Sequence, residues 1–206
     1  MSRFTGPRVK KMRALGTDLP GLSRKSMWDR PYPPGQHGAK QARRRKMSDF
    51  KKQLLEKQKL RFNYGLTERQ FMRLYKEAVH SKSPSGDKLI ELLERRLDNV
   101  VFRAGYAATI PAARQLINHG HFRVNGKRVD IPSYRVREGD IVTARDRSKE
   151  LAIIVESLAS QRLQRPEWLD FDEEKSAATV RALPTPDSVP FPVEMNLVIE
   201  YYSKRL

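Results

Sequence analysis

The clearest chemical signal in this 206-residue sequence is a pair of arginines set against each other across a hairpin. In "HFRVNGKRVD" (121–130), Asn125-Gly126 separates two short alternating runs. This dipeptide predicts a two-residue type I′ turn, because both positions accept positive φ. Val124 then pairs with Lys127, Arg123 with Arg128, Phe122 with Val129 and His121 with Asp130. Phe122, Val124 and Val129 share one face and the two arginines share the other. Like charges directly opposite one another destabilise a sheet by a few tenths of a kcal/mol and up to ~1. A solvated face would leave that repulsion unrelieved, so an external anion is expected to relieve it. Arg114 and Asn118 on the preceding helix, with Asn125 and Lys127 at the hairpin tip, extend the same basic surface. His119 and His121 lie between helix and hairpin, where they can cap the helix end or contact the anion.

Other chemistries have less support. The chain has no Cys, which excludes disulfides and thiolate metal sites, and its four His (37, 80, 119, 121) show no ligand spacing with carboxylates. No metal and no cofactor is expected. A second basic run, Lys40, Arg43, Arg44, Arg45 and Lys46, precedes the first long helical pattern and reads either as a solvated tail or as a further nucleic-acid contact.

Charge identifies the anion. Lys plus Arg number 41 against 24 Asp plus Glu, for a net +17, which points to an anionic polymer. The balance is uneven: 18 basic and 4 acidic residues over 1–65, 16 and 10 over 66–147, 7 and 10 over 148–206. No run of 18 apolar residues and no signal-like apolar block occurs, so neither a membrane span nor export is expected. A hydrophobic fraction of 38% favours small cores with much surface given to contacts.

Several elements must position the basic surface. Residues 1–42 carry repeated Gly and Pro and no periodic apolar face, so they read as a basic extension, with Trp28 and Tyr32 placed to stack on bases or to anchor the chain. The capped helices and the hairpin module are expected to bury their apolar faces without it. Ser48 caps a helix over 49–64, and Thr67 with Gln70 forms a capping box before the Phe71, Leu74, Tyr75, Ala78, Val79 stripe. Asp87 is expected to cap a third helix whose Leu89, Leu93, Leu97, Val100 and Val101 face a core. Thr109 and Pro111 open a short helix that Gly120 stops. One more strand follows around Gly139-Asp140. Ser148 then starts an amphipathic helix through Leu151, Ile154, Val155 and Leu158. Residues 170–192 read as loop, and "VEMNLVIEYYS" fits either a strand or a short helix.

The stretch "RRLDNVVFRAGYAATIPAARQLINHGHFRVNGKRVDIPSYRVREGDIV" (95–142) resembles the RNA-binding module of the small-subunit ribosomal protein four family. "PPGQHG" (33–38), "EKQKLRFNYGLTERQF" (56–71) and "EYYSKR" (200–205) are similar to its flanks, with the cyanobacterial and plastid branch looking closest. The resemblance implies an α+β protein: a basic extension (1–42), a helical domain (43–95), a small module of a helix pair on a short antiparallel sheet (96–180) and a returning C-terminal segment (181–206). It also implies direct binding of small-subunit ribosomal RNA at a junction in its 5′ domain, nucleation of assembly, and a place on the messenger RNA channel beside ribosomal proteins three and five. The location implied is the ribosome of the cytoplasm or of the plastid stroma. Some relatives carry a zinc-binding Cys cluster near the start, which this chain lacks.

Two rival readings share the module. Pseudouridine synthases carry an Arg-Leu-Asp motif, and this chain has Arg96, Leu97 and Asp98. Here the triplet precedes the module and lies within an apolar helical pattern, so Asp98 reads as a structural residue paired with nearby basic groups. A free-standing rescue or heat-shock factor could be much shorter than this chain.

Overall fold

The computed structural model describes residues 4–41 and 47–204. Two compact units emerge, one from residues 1–86 with 189–206 and one from residues 87–188.

The first unit is helical. Helix α1 (Arg8–Leu15) is ended by Gly16 at φ 68°, and α2 (Gly38–Gln41) follows a long turn-rich stretch. Ser48 accepts from the Lys51 N–H and starts α3 (Asp49–Asn63). The Thr67–Gln70 capping box starts α4 (Glu68–Val79). Phe71, Leu74, Tyr75 and Ala78 are buried as expected, but Val79 is 40% exposed and does not belong to the stripe. The ambiguous C-terminal stretch is helix α10 (Met195–Ser203), which lies along α3. Tyr202 ties it to α4 as well: the ring stacks on Tyr75 at 4.8 Å and the hydroxyl donates to Glu68 at 2.8 Å. Burial works to raise the Glu68 carboxyl, but hydrogen bonds from Lys57 and Tyr202 outweigh it and hold the group below the ordinary range.

Within the stretch read as an extension, Met12, Leu19, Leu22 and Met27 are all buried, and the Gly21 N–H donates to Asn63 Oδ1 of α3 at 2.9 Å. Met12 lies in α1 and the other three in the turn-rich stretch after it, so no single helical face joins them. The stretch read as an extension therefore contributes side chains to the core of this unit.

The second unit carries the sheet. Helix α5 (Ser85–Glu94) begins two residues before Asp87, which sits in its first turn and is not its cap. The single helix expected through Val101 is instead α5 and a separate α6 (Leu97–Arg103). Arg96 is extended at the break and bridges to Arg135, while Leu97 N donates to Tyr134 O and Asp98 N to Pro132 O. The carbonyls of Pro132 and Tyr134 take two donors that a continuous helix would have used internally, and Val136 N donates to the freed Arg95 carbonyl. Helix α7 (Ile110–Asn118) follows, capped by Thr109 and with Ala113, Leu116 and Ile117 buried.

Five strands, β1 (Phe122–Val124), β2 (Lys127–Arg128), β3 (Ile141–Ala144), β4 (Leu169–Asp172) and β5 (Ala177–Val180), form one antiparallel sheet in the order β2-β1-β3-β5-β4. The fold is therefore α+β. Strands β4 and β5 replace part of the loop expected over 170–192, joined by a turn in which Ser176 takes φ 48°. The helix expected from Ser148 is two short pieces, α8 (Asp146–Lys149) and α9 (Ala152–Ala159). In α9 Ile154 and Ser157 are buried, while Leu151 and Val155 lie exposed, contrary to the amphipathic reading. Phe122, Val124, Val142, Ala178 and Val180 are buried with Tyr106, whose ring meets Phe122 edge-on at 5.2 Å.

Candidate nucleic-acid interface

The hairpin has the register that its turn predicts. Asn125 (φ 49°) and Gly126 (φ 77°) both take positive φ, and Arg123 pairs with Arg128 and Val124 with Lys127. Val129 N donates to Phe122 O at 3.3 Å just beyond β2. Phe122 and Val124 point into the core, so Arg123 is on the opposite face by strand alternation.

A carboxylate stands near each arginine. Arg123 Nη1 lies 3.6 Å from Asp146 Oδ2, and Arg128 Nη2 lies 4.0 Å from Asp130 Oδ2. Both contacts are long and exposed, so each contributes at most ~1 kcal/mol and leaves the guanidinium available to a stronger anion. The Arg128 guanidinium lies over Gly120: a Cβ there would stand 2.5 Å from Arg128 Nε. Gly120 has φ 73°, so glycine serves there both for the turn and for this close approach.

Asn125 is exposed, but its side chain is already engaged within the protein. Its Nδ2 donates to Asp140 Oδ1 at 2.8 Å, its Oδ1 accepts from Ile141 N at 2.9 Å, and its own N–H donates to Ile141 O. Asp140 in turn accepts from Arg137 N at 2.7 Å. The side chain assigned to the basic surface thus ties the turn to β3.

Arg114 also departs from expectation. Its Nη1 donates to Asp98 Oδ2 at 2.6 Å, and only 14% of the side chain is exposed. Asp98 is buried and receives Arg96 as well, through Nε at 3.0 Å and Nη2 at 2.7 Å, together with the Asn99 N–H. Arg114 anchors α7 to α6 and does not stand out on the surface. Asn118 and His119 at the end of α7 are exposed, as is Lys127. His121 Nδ1 lies 2.9 Å from Ser148 Oγ, which ties the start of β1 to α8. Burial first, and then the positive charges of His119 and Arg145, hold the His121 ring below the ordinary histidine value.

Arg145 was missed in the sequence. It follows β3 directly, donates its N–H to His121 O at 2.8 Å, and reaches Gly120 O with its guanidinium at 3.4 Å. The only signal for it was its place one residue past an alternating run. The structure thus brings together Arg123, Lys127 and Arg128 on the hairpin, with Gly120, His121 and Arg145 at its base. Arg114 and Asn125 serve the scaffold. The side chain of Lys40 and all of Arg43, Arg44, Arg45 and Lys46 lie outside the described residues.

Among the described residues, no group of three acidic or His side chains is arranged to hold a metal ion, and no helix is long and apolar enough to cross a membrane.

Comparison with known proteins places these features. The family described as Ribosomal protein S4/S9 N-terminal domain matches residues 3–94, and the S4 domain matches residues 95–142. The small ribosomal subunit protein uS4 of Methylobacillus flagellatus is 60% identical over the whole of both chains, and uS4B of Nitrosomonas europaea is 58% identical over the same extent. The chain belongs to the uS4 family. It is a family of ribosomal proteins and not of enzymes, in keeping with the paired, buried state of Asp98. The uS4 of a Synechococcus strain is 46% identical, so the identities do not favour the cyanobacterial and plastid branch. The S4 domain match covers α6, α7 and the hairpin, that is, the elements that present the basic cluster.

Proposed function

We propose that this chain is a structural component of the small ribosomal subunit that binds small-subunit ribosomal RNA directly through the face carrying Arg123, Lys127 and Arg128. One observation carries the reading: two arginines paired in register on a face turned from the core, each with only a distant carboxylate. Phosphates of structured RNA answer this arrangement, because the deep major groove of A-form RNA hides base edges and recognition works through backbone and shape. The mechanism is electrostatic and geometric, and no bond is made or broken.

The finer reading is our proposal and is supported by what the family resemblance implies. The RNA target is a helical junction of the 5′ domain, binding there nucleates assembly, and the run from Lys40 to Lys46 faces incoming messenger RNA beside ribosomal proteins three and five. The site of action is the ribosome of the cytoplasm, or of the stroma in a plastid. Chemical probing of naked small-subunit RNA with the purified protein tests this: protection confined to the 5′ domain junction is expected, and protection scattered over the molecule would contradict it. Retention on small subunits through a high-salt wash separates an integral component from a rescue factor. Neutralising Arg43, Arg44, Arg45 and Lys46 is expected to slow translation of structured messages more than of unstructured ones.

A further inference from the structure

The stretch between α1 and α2 contains two aromatic side chains, and the structure gives them opposite roles. Tyr32 is an anchor. The Arg13 guanidinium lies 4.8 Å above its ring, and Arg13 Nε donates to the carbonyls of Arg30 at 3.0 Å and Tyr32 at 3.1 Å. Trp28 is held differently, by its backbone alone. Asp18 accepts from Ser26 Oγ and from Met27 N at 2.8 Å, Trp28 N donates to Ser26 Oγ at 3.3 Å, and Arg30 N donates to Met27 O. Met27 beside it is buried, while Trp28 itself is 68% exposed.

A single exposed apolar side chain needs no partner by itself, but Trp28 is the most exposed large apolar side chain among the described residues and stands on a loop with a buried anchor. Its neighbours in the chain narrow the partner. Arg24, Lys25 and Arg30 are exposed close to it in sequence, against Asp29 and the loop-anchoring Asp18, in the part of the chain with the highest positive charge. An apolar protein surface would not need those cations. A nucleic-acid strand uses both features, phosphates on the basic groups and a base on the ring.

We propose that Trp28 is a stacking platform for an unpaired base of RNA, a second contact distinct from the phosphate-binding hairpin. The inference rests on the RNA-binding reading above. The fixed loop loses little conformational freedom on binding, which favours stacking on a ring already in place. Because stacking displaces no counterions, its loss weakens binding without altering the salt dependence.

The other tryptophan, Trp168, is buried, so Trp28 emission is obtained by subtracting the spectrum of Trp28→Leu from that of the full wild-type chain. The probes are an eight-residue oligoadenylate and inorganic polyphosphate of matched charge. Oligoadenylate is expected to quench Trp28 while polyphosphate leaves it unchanged. Trp28→Leu is expected to bind oligoadenylate about tenfold more weakly with the same salt slope, and Trp28→Tyr to recover most of the loss. Wild-type affinity in Trp28→Leu, or equal quenching by polyphosphate, would overturn the proposal while leaving RNA binding intact. Quenching by RNA-free small-subunit proteins but not by oligoadenylate would make the indole a protein contact and equally overturn it. Failure of the wild type to bind any RNA would instead remove the RNA-binding reading on which the proposal rests.

Discussion

Arg114 Nη1 lies 2.6 Å from Asp98 Oδ2, and this contact, made inside the protein, joins helix α7 to helix α6. Asp98 sits between two guanidiniums and is itself buried, so the carboxylate is a counter-charge shared by both arginines.

Asp98→Asn is therefore expected to destabilise the free protein by about 3 kcal/mol, since a neutral amide no longer balances the two guanidiniums held against this buried position. Denaturant unfolding checks this. RNA affinity measured under folding conditions should change far less, and pseudouridine formation should be absent in both proteins.

Asn125→Ala should cost on the order of 2–3 kcal/mol. It places a β-carbon residue without a local hydrogen bond at φ 49° and leaves Asp140 and Ile141 without their Asn125 partners. The salt dependence of RNA binding should be that of the wild type, which separates a clamp on the turn from a phosphate contact.

The His121 ring is held below the ordinary histidine value of 6.5 in the folded protein. The unfolded chain therefore binds the proton more readily, and the stabilisation is complete above pH 6.5 and is lost as pH falls through the folded value. Thermal unfolding between pH 7.5 and pH 5 should show this loss in the wild type. His121→Asn, which keeps a polar atom near the Nδ1 position toward Ser148 Oγ, should show a shallower one.

What the sequence made legible depended on local signals. The Asn125-Gly126 turn set the register, the Thr67–Gln70 capping box and the Ser48 cap started their helices, and Thr109 with Pro111 and Gly120 bounded α7. These are decided within a few residues by backbone chemistry. The failures lie where distant groups decide. The break at Arg96 exists because Pro132, Tyr134 and Val136 pair with the backbone groups of residues 95–98 there. Leu151 and Val155 share a helical spacing with Ile154, but α9 turns only Ile154 and Ser157 inward, and the spacing alone did not show which apolar residues a neighbour would cover. Strands β4 and β5 are short and flanked by proline, and they became strands by pairing with each other and with β3. In the candidate site, charge picked out Arg123, Lys127 and Arg128, but it could not tell Arg114 from them, because the buried carboxylate that claims Arg114 lies sixteen residues away.

The most direct test of the account is a paired measurement on Arg123→Ala and Arg128→Ala: unfolding of the free variants beside binding to 5′ domain RNA titrated over salt. Each variant should lose roughly 1–2 kcal/mol of affinity and flatten the plot of log affinity against log salt by about one unit per phosphate contact. Each should keep its stability within about 1 kcal/mol, because relief of the cross-strand repulsion offsets loss of the long contacts to Asp146 and Asp130. Val124→Ala is the internal control, expected to destabilise the module by about 1–3 kcal/mol with the salt slope unchanged. If Arg128→Ala destabilises the free fold and leaves the salt slope untouched, the arginine pair is a structural feature of the hairpin and the RNA surface lies elsewhere.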